Sequence, residues 1–514
     1  MSALDTGRVL SRIRPADLRK LRYGQTVSMF GDAVTSVALP TVALLVVQAT
    51  PFQFGLLSAA TFLPYPFIGL PVGAWVDRTR RRKVMVLADA TRFLAIASIP
   101  AAAFTGGLTF AQLLVIGLVV GVASVFFNAA YQAYLPSIVG KDQITQANAK
   151  LSVSENGSQV FGPPLAGVLI GALGAAPALL IDALTFLASI ASLTFIRRVE
   201  EDPRPALPVD GRSEPLRRSR RRHRRNRVGR SRLGREILEG LQVVLSDRLM
   251  LGLTLTAALS NLGRGMCLEL FLLFAYKGLY LSPGVAGTVL AVGNIGSLLG
   301  SLTCQRFTDT FGLGTSLRVT SLLKGLPWLF APLTLIGPPL PISIAIIVVS
   351  SYFVPISLVT TVSIRQSLVS REIQGRVAST TRTISTTAIP LAAVLGGVLA
   401  QAGTATLGAR AGLAVVLALG GLIWMSATVL LPRRRLETLK TISDLEQASA
   451  STEGTHQDDT RPTEPTGRGR STRPANSGPA VPPPLPSPYD VPAWITPVTI
   501  SAVTPPRGRP YQSP

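Results

Sequence analysis

Apolar residues run through this chain in blocks of about twenty or more, each closed by a short polar or Gly/Pro-containing interval. At 1.5 Å of rise per residue, a helical block of that length crosses roughly 30 Å of hydrocarbon. The blocks fall at about 21–48, 53–75, 84–104, 110–131, 151–173 and 176–196. After a polar interval they resume at about 249–276, 285–304, 317–336, 341–362, 377–400 and 407–431. The pattern predicts an all-α polytopic membrane protein with twelve transmembrane helices in two sets of six, both termini on one side. Its parts are a tail (1–20), a six-helix bundle (21–196), a linker (197–247), a second bundle (248–432) and a C-terminal tail (433–514).

Charge tests that map independently of hydropathy. The intervals expected on one face carry residues 78–83, Lys141, Arg306, Arg318, Arg365, Arg371, Arg376 and the 433–435 cluster, whereas those on the other carry only Lys277 and Arg410. Positive loops are retained in the cytoplasm during insertion, so both termini are expected there, in a bacterial plasma membrane. No secretory signal peptide is evident at the polar start of the chain.

Composition agrees with a membrane reading. The 514 residues are 47% hydrophobic and 15% charged, with a mean hydropathy of +0.39, too apolar for an ordinary soluble chain. The net charge of +23 resides in loops and not on a folded basic surface, so no nucleic-acid partner is expected. Cys267 and Cys304 lie inside apolar blocks and His223 and His456 in polar ones; neither pair has the company that a disulfide framework or a metal site requires, and no metal or cofactor is expected. No phosphate-cradling loop ending in Lys-Ser/Thr occurs, which argues against direct ATP coupling. No nucleophile, base and orienting group recur together, so an enzyme is not expected.

The largely arginine run within 217–235 reads as a solvated linker attracted to anionic lipid, and residues 233–245 as an amphipathic helix on the membrane surface. The tail, with Pro482 to Pro484 and Pro486, reads as disordered or polyproline-like.

Sliding the second half onto the first by 232 residues aligns Gly31-Asp32 with Gly263-Arg264, Pro51 with Pro283, Gly55 with Gly287 and Asp77 with Asp309. These matches cover the first two helices and both turns without a gap, the mark of a six-plus-six duplication with a substrate site near the midplane.

Ionisable residues inside the blocks are the candidates for chemistry, because a charge at mid-bilayer costs about 2.5–3.5 kcal/mol on insertion scales and usually faces a cavity or a partner. Asp32 lies near the middle of the first block; its repeat-mate Arg264 and, roughly 7 Å further along the same helix, Glu269 follow in the second half. Asp32 and Arg264 are expected to face one another or the same water-filled space and to carry protons; a purely packing role for Asp32 stays open. Asp182, Lys324 and the i, i+3 pair Asp89 and Arg92 read as internal pairings. Asn128, Tyr131, Gln132, Asn261, Ser351, Tyr352 and Ser357 offer polar or aromatic contacts to a substrate.

Several stretches resemble the major facilitator superfamily. In the turn after the second helix, Gly73, Asp77, Arg78, Arg81 and Arg82 stand where that family carries its Gly, Asp-Arg and basic pair, although Arg80 replaces a usual second Gly. In the fifth helix, Ala149, Ser158, Gly162-Pro163 and Ala166-Gly167 keep the spacing of the family's exporter motif, with small residues for three of its glycines. Gly31-Asp32-Ala33 with Ala38-Leu39-Pro40, and the passage from Asn128 to Pro136, narrow the likeness to macrolide-efflux and enterobactin-exporter proteins.

The resemblance implies two bundles around a central cavity lined by the first and seventh helices, a cytoplasmic latch in which Asp77 approaches the start of the eleventh helix, and a pore-sealing contact at the fifth. It implies a monomeric secondary active exporter of amphipathic small molecules, a drug, macrolide or siderophore, exchanging with protons by alternating access. The fourth helix lacks the Arg many proton-driven relatives carry; Gln112 is its nearest polar residue. Uptake of a polar solute and a non-transporting membrane scaffold are the alternatives.

Overall fold

The computed structural model describes residues 15–138, 144–196, 240–369 and 373–432. The arginine-rich part of the linker, the start of the N-terminal tail and the C-terminal tail lie outside the described residues.

Every regular element among the described residues is helical. α1 (Pro15–Thr41) continues as a π turn, Val42–Val46. The second span is broken into α2 (Pro51–Phe62) and α3 (Pro64–Val76), because Pro64 has no N–H to continue the ladder. α4 (Arg81–Phe104), α5 (Phe110–Ile138), α6 (Ile144–Leu173) and α7 (Ala175–Thr194) complete the first half. The second half comprises α8 (Arg248–Leu273) with the π turn Phe274–Gly278, α9 (Pro283–Phe311), α10 (Leu313–Leu323) with the 3₁₀ stretch Leu326–Leu335, α11 (Pro339–Leu368) and α12 (Gln374–Ser426).

Nine helices among the described residues are long and apolar enough to cross a membrane. The other expected passages depart from that ideal for local reasons. α12, with 53 residues, is two helices meeting at Gly408, whose φ of 80° no helix interior adopts. Pro327 and Pro332 turn the ninth span from α into 3₁₀ geometry. α6 begins seven residues before the expected 151, and its first turns are polar.

Start signals follow the sequence closely. Thr50 caps α2 through a reciprocal capping box with Gln53, and Pro51 occupies the first helical position. Ser282-Pro283 opens α9 in the same way, without the side-chain bond.

The duplication is visible in three dimensions. Gly31 of α1 abuts Asp182 and Thr185 of α7, and Gly263 of α8 abuts Trp424 of α12, so the first and seventh spans each pack on the last helix of their own half. Gly55 of α2 meets the Ala393 carbonyl and Gly397 of α12, whereas Gly287 of α9 meets the Pro163 carbonyl and Gly167 of α6. A Cβ at either glycine would collide with backbone, and these two crossed contacts form the seams between the halves.

The seams lie toward the end opposite the basic turn at residues 78–83. There Leu44 and Phe54 of the first half share one buried cluster with Phe271, Phe274, Trp328 and Leu417 of the second. The Tyr276 and Thr41 hydroxyls are 2.9 Å apart, and Lys277 Nζ donates to the Ala49 carbonyl at 2.8 Å. Arg410, the other cation expected at this end, donates to the Thr334 carbonyl at 2.8 Å. Toward the basic end, residues 148–150 of α6 and 301–302, 305–306 and 309–311 of α9 are exposed. The contacts between the halves named above thus lie at the far end.

Candidate functional site

Asp32 stands midway along α1 with its side chain 48% exposed, and its Oδ1 lies 3.6 Å from Arg92 Nη1 of α4. Arg92 also binds Asp89 Oδ1 one turn back on its own helix. Its guanidinium sits between two rings, 4.4 Å from the Phe127 centroid and 4.6 Å from that of Phe186, cation–π contacts that gain strength where water is excluded. Asp89 and Asp182 are wholly buried. Asp89 accepts from Ser189 Oγ at 2.7 Å, and Asp182 accepts from the Thr35 and Thr185 hydroxyls. Tyr65, whose hydroxyl neighbours Ser124 and Asn128, lies within electrostatic reach of Asp32. Asp32 is thus partly exposed midway along α1, with Arg92 of α4 as its ion partner.

Among the described residues Asp32 and Arg264 form no ion pair with each other, so of the two expected arrangements direct pairing is not seen. Asp32 has its ion partner in Arg92, and the acid within electrostatic reach of half-buried Arg264 is Glu269. The reason is the duplication itself: repeat-mates occupy equivalent places in their own halves, and equivalence does not make them neighbours. Arg92 has a repeat-mate as well, Lys324, 232 residues on. Lys324 is 6% exposed and donates to Ser357 Oγ at 3.0 Å. At the positions matching Asp32 and Asp89 the second half carries Arg264 and Ser321, so its buried cation has lost both of those acids.

Glu269 joins the halves. Its Oε2 accepts from Ser58 Oγ of α2 at 3.1 Å, on the far-end side of the site. The fifth-helix motif splits between two adjoining faces, one residue apart in sequence: Gly162 contacts Ala33 of α1, with Ser158 and Ala166 buried along the same face, while Pro163 and Gly167 meet Gly287, Gly284 and the Pro283 carbonyl of α9. Asn294 Nδ2 donates to the Gln159 carbonyl across that seam. Ala149 is exposed near the basic end.

The expected substrate contacts divide. Asn128 and Gln132 are exposed, and Tyr131 is half-buried with its ring stacked on Phe127 at 6.1 Å. Ser351 is half-buried beside Gly293. Asn261 ties α8 to the Ser385 carbonyl at 2.9 Å, and Tyr352 bonds Thr303 at 2.8 Å, so both hold helices together. Ser357 is 5% exposed and holds Lys324; it does not face open space. Ser58, Tyr65, Thr35 and Phe127 were not singled out in the sequence. A lone hydroxyl or ring in an apolar block carries no signal until its neighbour across the bundle is known.

In the basic turn, Arg81 donates to the Ala133 carbonyl at 3.0 Å, and Arg82 to those of Thr194 and Ile196 at 2.6 and 3.1 Å. These cations stabilise helix C-termini of the first half. Asp77 and Arg78 are exposed, and no atom would lie near a Cβ on Gly73. Among the described residues Gln374 at the start of α12 bonds the Gln366 and Val369 carbonyls, and Asp77 makes no hydrogen bond to it.

Residues 23–281 match the profile of the Major Facilitator Superfamily. The chain belongs to that superfamily. It is thus a multi-pass membrane transporter, of a class that moves small molecules. The multidrug efflux pump Tap of Mycolicibacterium fortuitum is 25% identical over 72% of this chain and 86% of its own length. Macrolide efflux protein A of Streptococcus pyogenes is 26% identical over 33% of this chain and 42% of its own. An MFS-type transporter of Bacillus subtilis (strain 168), YfiS, is 31% identical over 35% of this chain, which spans 42% of that relative. Among solved structures, a bacterial homologue of the iron transporter ferroportin in an inward-facing state superposes with a TM-score of 0.61 at 17% identity, covering 80% of this chain and 98% of that one. A point mutant of the nucleoside transporter NupG gives 0.61 at 10%, covering 81% and 99%. At such identities these likenesses concern the fold alone.

Proposed function

We propose that this transporter is a proton-coupled exporter of amphipathic small molecules, drugs or macrolide-like compounds, working as a monomer by alternating access in a bacterial plasma membrane with both termini cytoplasmic. The observation that carries the reading is the group around Arg92, which binds Asp89 and lies 3.6 Å from Asp32, with the buried Asp182 bonded to Thr35 one turn along α1 from Asp32. One cation cannot balance three acids, and in a low-dielectric bundle such a group reaches neutrality only by taking up protons. Asp32 is its one exposed member, so it is where a proton or a cationic substrate group enters. The aromatic wall of Tyr65, Phe127 and Tyr131 beside it suits an apolar body. Similarity to Tap over most of both chains supports export.

Alternating access follows from the two ends. The far-end seams and the Glu269–Ser58 bond hold one state, open toward the basic end. In the other state the basic end closes, with Asp77 approaching α12 as a latch. Lipid attraction at the arginine-rich linker belongs to the same reading.

The test is transport in proteoliposomes across a panel of macrolides and dyes, with an imposed pH gradient. Wild type is expected to accumulate substrate against its gradient and to stop on addition of a protonophore. Asp32→Asn, folded and inserted, is expected to lose gradient-driven accumulation; undiminished pH-driven transport in that variant would refute the assignment.

A further inference from the structure

Between α1 and α7, near the basic end, runs a groove of about 460 Å³. Its walls are Tyr23, Val27, Ala188 and Phe195, with Ser192 in its floor and Lys20 at its mouth. Tyr23, Val27 and Phe195 are 62%, 42% and 68% exposed, so apolar surface stands uncovered at the edge of the first half. The mouth is strongly cationic. Lys20 Nζ donates to the Phe195 carbonyl at 2.9 Å, exposed Arg19 adjoins it in sequence, and the Arg22 guanidinium lies 5.4 Å from the Tyr23 ring centroid. Arg82 adds a fourth cation at the same helix end through its bonds to Thr194 and Ile196.

We infer that this groove holds one anionic phospholipid of the leaflet at the basic end. An apolar trough on the perimeter of a membrane bundle is filled by acyl chains, and a cationic mouth at headgroup level selects a negative phosphate without a compensating choline. Tyr23 sits where an amphipathic ring bridges hydrocarbon and headgroup. The Ser192 hydroxyl donates to the Lys20 carbonyl at 2.6 Å, so a lipid seated here rests on the junction of α1 and α7 and braces the two helices that also carry Asp32 and Asp182.

The experiment is native mass spectrometry of the full chain in mild detergent with equal amounts of phosphatidylglycerol and phosphatidylcholine. Wild type is expected to retain one phosphatidylglycerol in clear preference to phosphatidylcholine. Arg19→Gln/Arg22→Gln is expected to reduce that preference by about five-fold per cation, the worth of one basic residue near an anionic surface. Ala188→Trp, at an exposed position, fills the trough and is expected to abolish retention; circular dichroism melting checks that both variants fold. Equal retention of the two lipids, or wild-type retention by both variants, overturns the inference. So does a photo-crosslinker at position 188 that captures residues 1–14 or 197–239 of this chain in place of lipid.

Discussion

Gln48 and Tyr280, 232 residues apart, hold the same left-handed backbone conformation, with φ of 54° and 55°. The turns around them repeat bond for bond. Val47 N–H donates to Val42 O and Ala49 N–H to Ala43 O; in the second half Leu279 donates to Phe274 O and Leu281 to Ala275 O. Each π turn thus ends on a residue that pays roughly 1–2 kcal/mol for its backbone, and both copies have kept that arrangement with unrelated side chains. Gln48→Gly and Tyr280→Gly are each expected to stabilise the folded protein, by up to about 1 kcal/mol after the entropy cost of glycine. Thermal unfolding in detergent measures this, and a fall in melting temperature for both would contradict the account.

Arg92→Met leaves Asp89 and Asp32 without their cation. Removing one member of a buried ion pair costs about 3–5 kcal/mol, so the variant is expected to melt early or fail to insert. Asp89→Asn/Arg92→Met is expected to recover most of the lost stability while remaining inactive in gradient-driven transport. Comparing the two melting curves separates the structural part of the network from its coupling role.

Lys324→Met is expected to have the opposite outcome. Lys324 is buried against one hydroxyl, and a flexible apolar chain of similar volume occupies such a place at little cost. Stability within about 1 kcal/mol of wild type and retained transport are expected. Loss of transport with stability intact would show that the second-half cation takes part in coupling.

Glu269→Ala removes the hydrogen bond to Ser58 across the far-end seam, worth about 1 kcal/mol net. That is enough to shift the balance between closed and open far ends roughly five-fold. A thiol reagent should then label Leu44→Cys, in the buried far-end cluster, faster in the Glu269→Ala background than in an otherwise wild-type one. Equal labelling rates would mean that the bond does not hold this end shut.

Gly55→Val and Gly287→Val each place a side chain against main chain of the other half. Both are expected to impair transport severely with little effect on expression, since the collision exists only while the far end is closed. Vesicle transport assays decide this, and normal rates would show that the seam yields.

Much of this architecture was legible in the sequence because hydrophobic blocks, Pro and Gly punctuation and the 232-residue offset are local or periodic signals. Pro51, Pro283, Gly55 and Gly287 were placed correctly by that offset alone. The partner of Asp32 was not, because an offset identifies equivalent positions and says nothing of which helix lies alongside. Arg92 sits sixty residues away on a helix whose own i, i+3 acid already explained it. Ser357 misled for a related reason: a serine in an apolar block looks available for substrate until the buried Lys324 beside it is seen. The break in the second span required only Pro64, but the tyrosine that follows gains its meaning from Ser124 and Asn128.

The two crossed seams bring glycine against main chain at Gly55 and Gly287. Points of that kind have no rotamers to reorganise when they separate, so the bundles can roll about them while the aromatic cluster alongside opens and reseats. Selectivity and timing are then left to the aromatic and ionic groups deeper in the vestibule, where a passenger molecule itself completes the packing.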